Sequence, residues 1–504
     1  MRVRRMTTRR LYRFDNLQMA LPTTIDHLAI DDLQNIVARL PALSFAFASC
    51  VSHSWNHVCG RVLCRPKLSS ACSYKSSLQV AVEEVTSKVL SEPIRPQFAI
   101  ASIGPLFDMD EAFQLITGKL SSKVPVIINR SYGIIGRDAI SNEHKETAWE
   151  DNEDGARIGI MLTVGFVPDL KVKLIPLLKQ TEAPRTHVVI PSQTLMIDQF
   201  ITDIREFSTS ISGYQSPAAV MIFSVIYADM GAVMGKMDYA MSPKTVIVGE
   251  CGNGFKHTAT KELATAAAVA LVFVVDRNKP PGIGETRFHA VLSSGLSPVG
   301  ATYEVDCVRE NHFECTTHLT GIREGPFETF KVDELATRFI GVTKRRTCFI
   351  GQEEAKRMTS LSFHEVLENE ENDELLVVDD LDIRTGDTYR FYHPDSSIAR
   401  STVDGVSNFL RSFKQRCTDG NETWEVCGGL IFTSCSRDVP FLGQSNADSS
   451  AFLENFPGVT FCGTICLEQI GRGYLIPQES QEQKSARACV HRYNAIYLIV
   501  SYAA

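Results

Sequence analysis

The chain has 504 residues, of which 44% are hydrophobic and 22% charged, and its net charge is −8. The length predicts about three domains, and the composition excludes a largely disordered chain or a collagen-like fibre. No basic field spans the body, so a nucleic-acid grip on phosphates is not expected.

The N-terminal end carries Arg2, Arg4, Arg5, Arg9, Arg10 and Arg13 and no acid before residue 15. This reads as a disordered basic arm or as leader sequence upstream of Met19. A mitochondrial transit peptide is the competing reading of the same Arg-rich, acid-poor composition. The 14 cysteines contain no C-x-x-C spacing and are spread over a long chain. Dense disulfide frameworks belong to short secreted chains, so reduced thiols and a place in the cytoplasm or nucleus are expected. The longest apolar stretch, Leu263 to Val275, is closed by Asp276. It falls short of the roughly 20 residues that a membrane span needs.

Residues 21–70 read as a compact helical block after a basic arm at 1–20. Ile25, Leu28, Leu33, Ile36, Val37 and Leu40 recur at three- and four-residue steps, the period of a helix. Pro41 stops that helix. Phe45, Phe47, Ala48 and Val51 begin another, and Trp55 and Val58 follow. Such a block is too small for a deep core of its own and is often completed by a partner. Residues 71–96 read as a connector with a helix from about Ser76 to Leu90, bounded by Pro93 and Pro96.

From residue 97 one order of elements recurs three times: strand, helix, strand, glycine-bearing turn, strand. The first copy runs Phe98–Ile103, Asp110–Leu120, Pro125–Ile128, a turn over Ser131–Arg137 and a strand over Arg157–Phe166. The second runs Ala218–Val225, Asp229–Met241, Pro243–Gly249, a turn over Gly249–Gly254 and Ala268–Asp276. The third runs Gly429–Ser434, Ala447–Asn455, Pro457–Gly463, a turn over Glu468–Gly473 and Tyr493–Tyr502. The strands are short apolar runs, as expected where both sheet faces are covered. The fold class is therefore mixed, α+β or α/β, with repeated β-α-β-β units. Between copies two and three, Ala301–Val308 and Phe313–Leu319 read as a hairpin. Nine acids and no base fill residues 365–382, read as a solvated loop beside a strand at Leu375–Val378. Leu375 to Ile383 offers one partial match to a leucine-rich repeat, and no array follows.

Most tests for chemistry fail. Neither G-x-S-x-G nor H-E-x-x-H occurs, and Gly231–Met237 is one residue short of a phosphate loop. Cys307, His312, Cys315 and His318 are soft ligands close in sequence, but strand parity turns Cys315 and His318 to opposite faces, so no metal is expected. Cys462 and Cys466 read as small core residues before reactive thiols. No cofactor is called for. The glycine turns end apolar strands, where open α/β sheets bind ligands. On that ground Arg130, Arg137, Glu250, Asn253, Arg437 and Glu468 are candidate contacts for a small anionic ligand. The competing reading is that the turns are sharp connections only.

Two resemblances emerge from quoted residues. Ile25-Asp-His-Leu through Arg39-Leu40-Pro41, followed by Val51-Ser52 and Trp55, resembles an F-box, with Ala29 where that family has proline. Gly429-Leu-Ile-Phe-Thr-Ser-Cys-Ser-Arg437, Phe456-Pro-Gly-Val-Thr-Phe-Cys-Gly463 and Glu468-Gln-Ile-Gly471 resemble the FIST sensory domain. Asp438 and Leu467 stand where FIST sequences carry glycine. The resemblance implies an F-box at 21–70, a FIST N-terminal domain at 97–296 and a FIST C-terminal domain at 297–503. It also implies a non-catalytic subunit of an SCF-type ubiquitin ligase. Ile25, Leu28, Leu33, Ile36, Leu40, Pro41, Val51 and Trp55 would dock a Skp-type adaptor and, through it, a cullin. The FIST region would bind the protein substrate and a small ligand, with no nucleic acid and no membrane as partner. The alternatives are an intracellular amino-acid-like sensor without a ligase role, and a thiol enzyme.

Overall fold

The computed structural model describes residues 28–149, 158–179, 193–226, 228–259, 266–311, 316–323, 339–367, 376–379, 382–419, 424–472, 474–475 and 487–504. Helices α1 (Ile30–Val37), α2 (Ala42–Ser49) and α3 (His53–Val62) form the expected helical block. Its own small core consists of Leu33, Val37, Phe45, Ala48, Val58 and Cys59. The connector folds onto the body instead of standing apart. Lys67–Ser73 is a strand paired antiparallel with Ile160–Phe166, and α4 (Leu78–Val89) starts at Ser77, whose side chain accepts the Val80 N–H. In the body, no described helix is long and apolar enough to cross a membrane.

The three copies form as mixed units. In the first, Phe98–Ile103 is parallel to Val126–Arg130 across helix Met109–Lys119 and antiparallel to Ile160–Phe166. In the second, Ala219–Val225 is parallel to Val246–Gly252 across helix Met230–Ala240 and antiparallel to Ala266–Val275. In the third, Trp424–Ser434 is parallel to Phe461–Cys466 and antiparallel to Ala495–Ala503. Each unit opens its first helix on a capping aspartate. Asp108 accepts from Glu111 N at 2.7 Å, Asp229 from Ala232 N at 2.9 Å and Asp438 from Phe441 N at 2.8 Å. A capping carboxylate satisfies an amide that the helix itself cannot, so the same residue recurs wherever the same turn is made.

The glycine segments are not simple turns. The first and third contain, and the second leads directly into, a short strand that leaves its own unit. Gly133–Arg137 of the first unit pairs with Phe461–Cys466 of the third. Glu468–Arg472 of the third pairs with Val246–Gly252 of the second. Phe255–His257 of the second pairs with Val126–Arg130 of the first. The exchange closes in a ring. Glycine is needed because backbones crowd there: a Cβ on Gly249 would collide with the Ile222 carbonyl, and one on Gly133 with the Thr147 carbonyl.

Three open sheets result, with five, six and seven strands. Strands from both sides of residue 296 share the six- and seven-stranded sheets. Aromatic contacts join the units, with Phe98 on Phe273 at 5.2 Å and Phe223 on Phe432 at 6.2 Å. The expected hairpin is part of a closed six-stranded barrel built from Leu296–Asn311, Thr316–Arg323, Leu376–Val378, Lys356–Leu367, Phe339–Cys348 and Thr388–Pro394. His312, Cys315 and most of the acidic run lie outside the described residues.

The three receiving strands meet at one carboxyl group. Glu250, 2% exposed, accepts from Asn129 Nδ2 of the first unit and, at 2.6 Å, from Thr464 Oγ1 of the third. Burial raises its pKa to about 7. The unfolded chain ionises this group near its ordinary value, whereas the folded chain holds the proton until about pH 7. Stability contributed here is therefore present at low pH and falls as pH rises through that window. Glu250→Gln should melt higher than the parent, with the gap widening between about pH 5 and pH 8 to on the order of 3 kcal/mol. A pH-independent gap in calorimetric melting curves would contradict this.

Candidate functional site

α2 reads Ala42-Leu-Ser-Phe-Ala-Phe-Ala-Ser49 and is apolar all round. One side, Ala42, Phe45 and Ala48, is buried. The opposite side is open, with Leu43 68% and Phe47 67% exposed, and Val51, one turn further, 63% exposed. Leu43 and Phe47 are one four-residue step apart and so share the open side of α2; Val51 follows just past the helix end. On α1, Ile30 and Ile36 are also exposed. A helix that is apolar on every side is normally covered on every side.

The block is held firmly. Ala42 N donates to Leu90 O at 2.9 Å, and Tyr502 Oη donates to Cys64 O at 2.9 Å. Leu63 packs on the cores of both the block and the first unit. The α3 start also has a local cause. Ser52 accepts the Trp55 N–H at 3.2 Å, which explains the serine three residues ahead of the tryptophan.

The residues expected to dock a partner divide three ways. Ile36, Pro41 and Val51 are exposed; Leu28, Leu40 and Trp55 are half-buried; Leu33 is sealed in the block core at 5% exposure. Ile25 lies outside the described residues. Sequence reasoning missed Leu43 and Phe47. The signal was available: a helix with apolar residues on every side has more greasy surface than one small core can take.

The six candidate ligand contacts do not form one shared binding set. The Arg437 guanidinium makes a two-pronged pair with Asp448, at 3.0 and 2.6 Å, and also donates to Ser293 and to Tyr493 O. Glu468 is taken by Arg492 at 2.7 Å. Arg137 donates to Asn142 O, and Arg130 to Phe107 O. Glu250 is enclosed by Asn129 and Thr464. Asn253 donates to Tyr132 Oη at 2.9 Å and lines an open cleft, at the ends of strands Ala219–Val225 and Val246–Gly252. The two thiols are sealed. Cys462 and Cys466 are 0% and 1% exposed, and burial pushes both pKa values up, away from a reactive thiolate. Arg472, the cation nearest Cys466 in sequence, is bound by Asp238 and the Ser242 carbonyl.

No family profile matches the chain. It is similar to an F-box/LRR-repeat protein of Arabidopsis thaliana, 38% identical over 505 residues that cover 94% of this chain and 92% of that protein. The chain therefore belongs to the F-box protein family.

The two sides of α2 predict opposite responses. Phe45→Ala should cost the block about 3–5 kcal/mol through the cavity it leaves. Phe47→Asp should leave helix content unchanged and stability within about 0.5 kcal/mol. Circular dichroism melting of both variants checks this, and a collapse of the block in Phe47→Asp would contradict the assignment of sides.

Proposed function

We propose that this chain is the target-binding, non-catalytic subunit of an SCF-type ubiquitin ligase. The helical block docks a Skp-type adaptor, and through it a cullin, in the cytoplasm or the nucleus. The body captures the protein to be ubiquitinated. The observation that carries this reading is the uncovered second side of α2. Burial of a large aliphatic or aromatic side chain contributes about 1.5–3 kcal/mol. Leu43 and Phe47 on the open side of α2, with exposed Val51 just past its end and exposed Ile36 on α1, therefore offer enough driving force for a stable helix-in-groove contact after the cost of association. The body is read as the FIST region of such a receptor. The segments that carry that resemblance fall on the paired strands of the third unit and on the strand it exchanges.

The test is capture of a purified Skp-type adaptor by the full chain. Leu43→Asp combined with Phe47→Asp should weaken binding more than tenfold. Val439→Asp places the same charge on an exposed apolar position of the body and should leave binding unchanged. Equal capture by the double variant and the parent would refute the docking face.

A further inference from the structure

The three units allow an internal comparison. In the first, the residue before the capping aspartate is Phe107, 4% exposed. In the third it is Arg437, 6% exposed. In the second it is Ala228, and beside its methyl group the cleft noted above opens to about 450 Å³. Ligand cavities commonly run from about 300 to 1,000 Å³. The location is the carboxyl end of parallel strands, where open α/β sheets take ligands. Two repeats hold a bulky side chain at this position; the repeat with the smallest residue there has an open cleft.

The lining defines the chemistry. Leu177, Met196, Ile197, Ile226, Ala228 and Ala267 make an apolar wall. Asp229, at the edge, already caps its helix through Ala232 N. Lys179 is exposed at the rim, and its ammonium has no ion-pair partner among the described residues. Among the described residues of the lining, an apolar wall with one available cation suits a small molecule that carries an apolar body and a single negative group.

We propose that this cleft binds a small monocarboxylic acid, with its apolar part against Leu177 and Ile197 and its carboxylate toward Lys179. The site is separate from the adaptor face and does not depend on it. Ala228→Phe installs the side chain of the first repeat and closes the cleft. Ala267→Leu narrows it with a smaller change, in case the phenylalanine disturbs folding.

Titration calorimetry on the full chain, with melting curves to confirm that each variant folds, tests this with three probes: 4-phenylbutyrate, 4-phenylbutan-1-ol and 4-phenylbutylamine. The acid should bind tightest, about tenfold ahead of the alcohol and further ahead of the amine. That tenfold corresponds to about 1.4 kcal/mol. Lys179→Ala should erase the preference for acid over alcohol. Whichever cleft-filling variants fold should lose acid binding more than fivefold. The proposal is overturned if the parent binds none of the three, if the amine is preferred, or if every folded cleft-filling variant binds the acid as the parent does.

Discussion

The structure depends on a three-way exchange of strands. Each β-α-β unit makes its own parallel pair and its own antiparallel neighbour. The far side of each pair is then covered by a strand from another unit. A unit taken alone would present an open sheet edge, with unpaired amides and carbonyls ready for any other chain. In the ring those groups are paired, and the buried Glu250 hydrogen-bonds to residues of the other two units at the junction. Contacts that close only across the whole chain are entropically expensive to make and slow to form. They leave the body as one object and not a string of modules. The helical block is attached to that object through α4 and through the edge strand Lys67–Ser73. A partner seated on α2 is thus held at a set position relative to the body.

Much of this was legible in the amino-acid order, for a physical reason. Strands covered on both faces are mostly apolar, so Phe98–Ile103 and Ala219–Val225, each interrupted by a single serine, and the core of Trp424–Ser434 stand out as apolar runs. The exchanged strands did not stand out. They are three to five residues long, two of the three contain glycine, and their partners lie more than a hundred positions away. The barrel was half visible. Its strand Phe339–Cys348 is apolar only at the start and then runs Lys344-Arg345-Arg346, which resembles a loop until Arg346 is seen paired with Asp387 at 2.7 Å.

The functional residues show the same limits. Helical periodicity selects the positions that face inward, so it picked Leu33, which the block keeps for itself, as well as Ile36, which it does not. α2 has no polar face to orient by. Arg437 shows a different limit. A guanidinium near a glycine turn resembles an anion site, but Arg437 is spent on Asp448 inside the protein. Removing one partner of such a buried pair is far more damaging than the pair is stabilising, so its role is to fix a geometry. The cleft beside Ala228 was not legible in the sequence, because its lining is drawn from separate stretches between Leu177 and Ala267.

The relative's description joins an F-box to leucine-rich repeats. Among the described residues of this chain, parallel pairing never extends beyond two adjacent strands, and each such pair sits in a mixed sheet. The described residues therefore contain no solenoid of stacked parallel strands. Native-state hydrogen exchange on the full chain is the most direct test of the account. The amides of Val126–Arg130, Val246–Gly252 and Phe461–Cys466 should open together, at the free energy of global unfolding, because each is closed by another unit. Three distinct opening energies, one for each unit, would mean that the exchanged strands do not hold the body together.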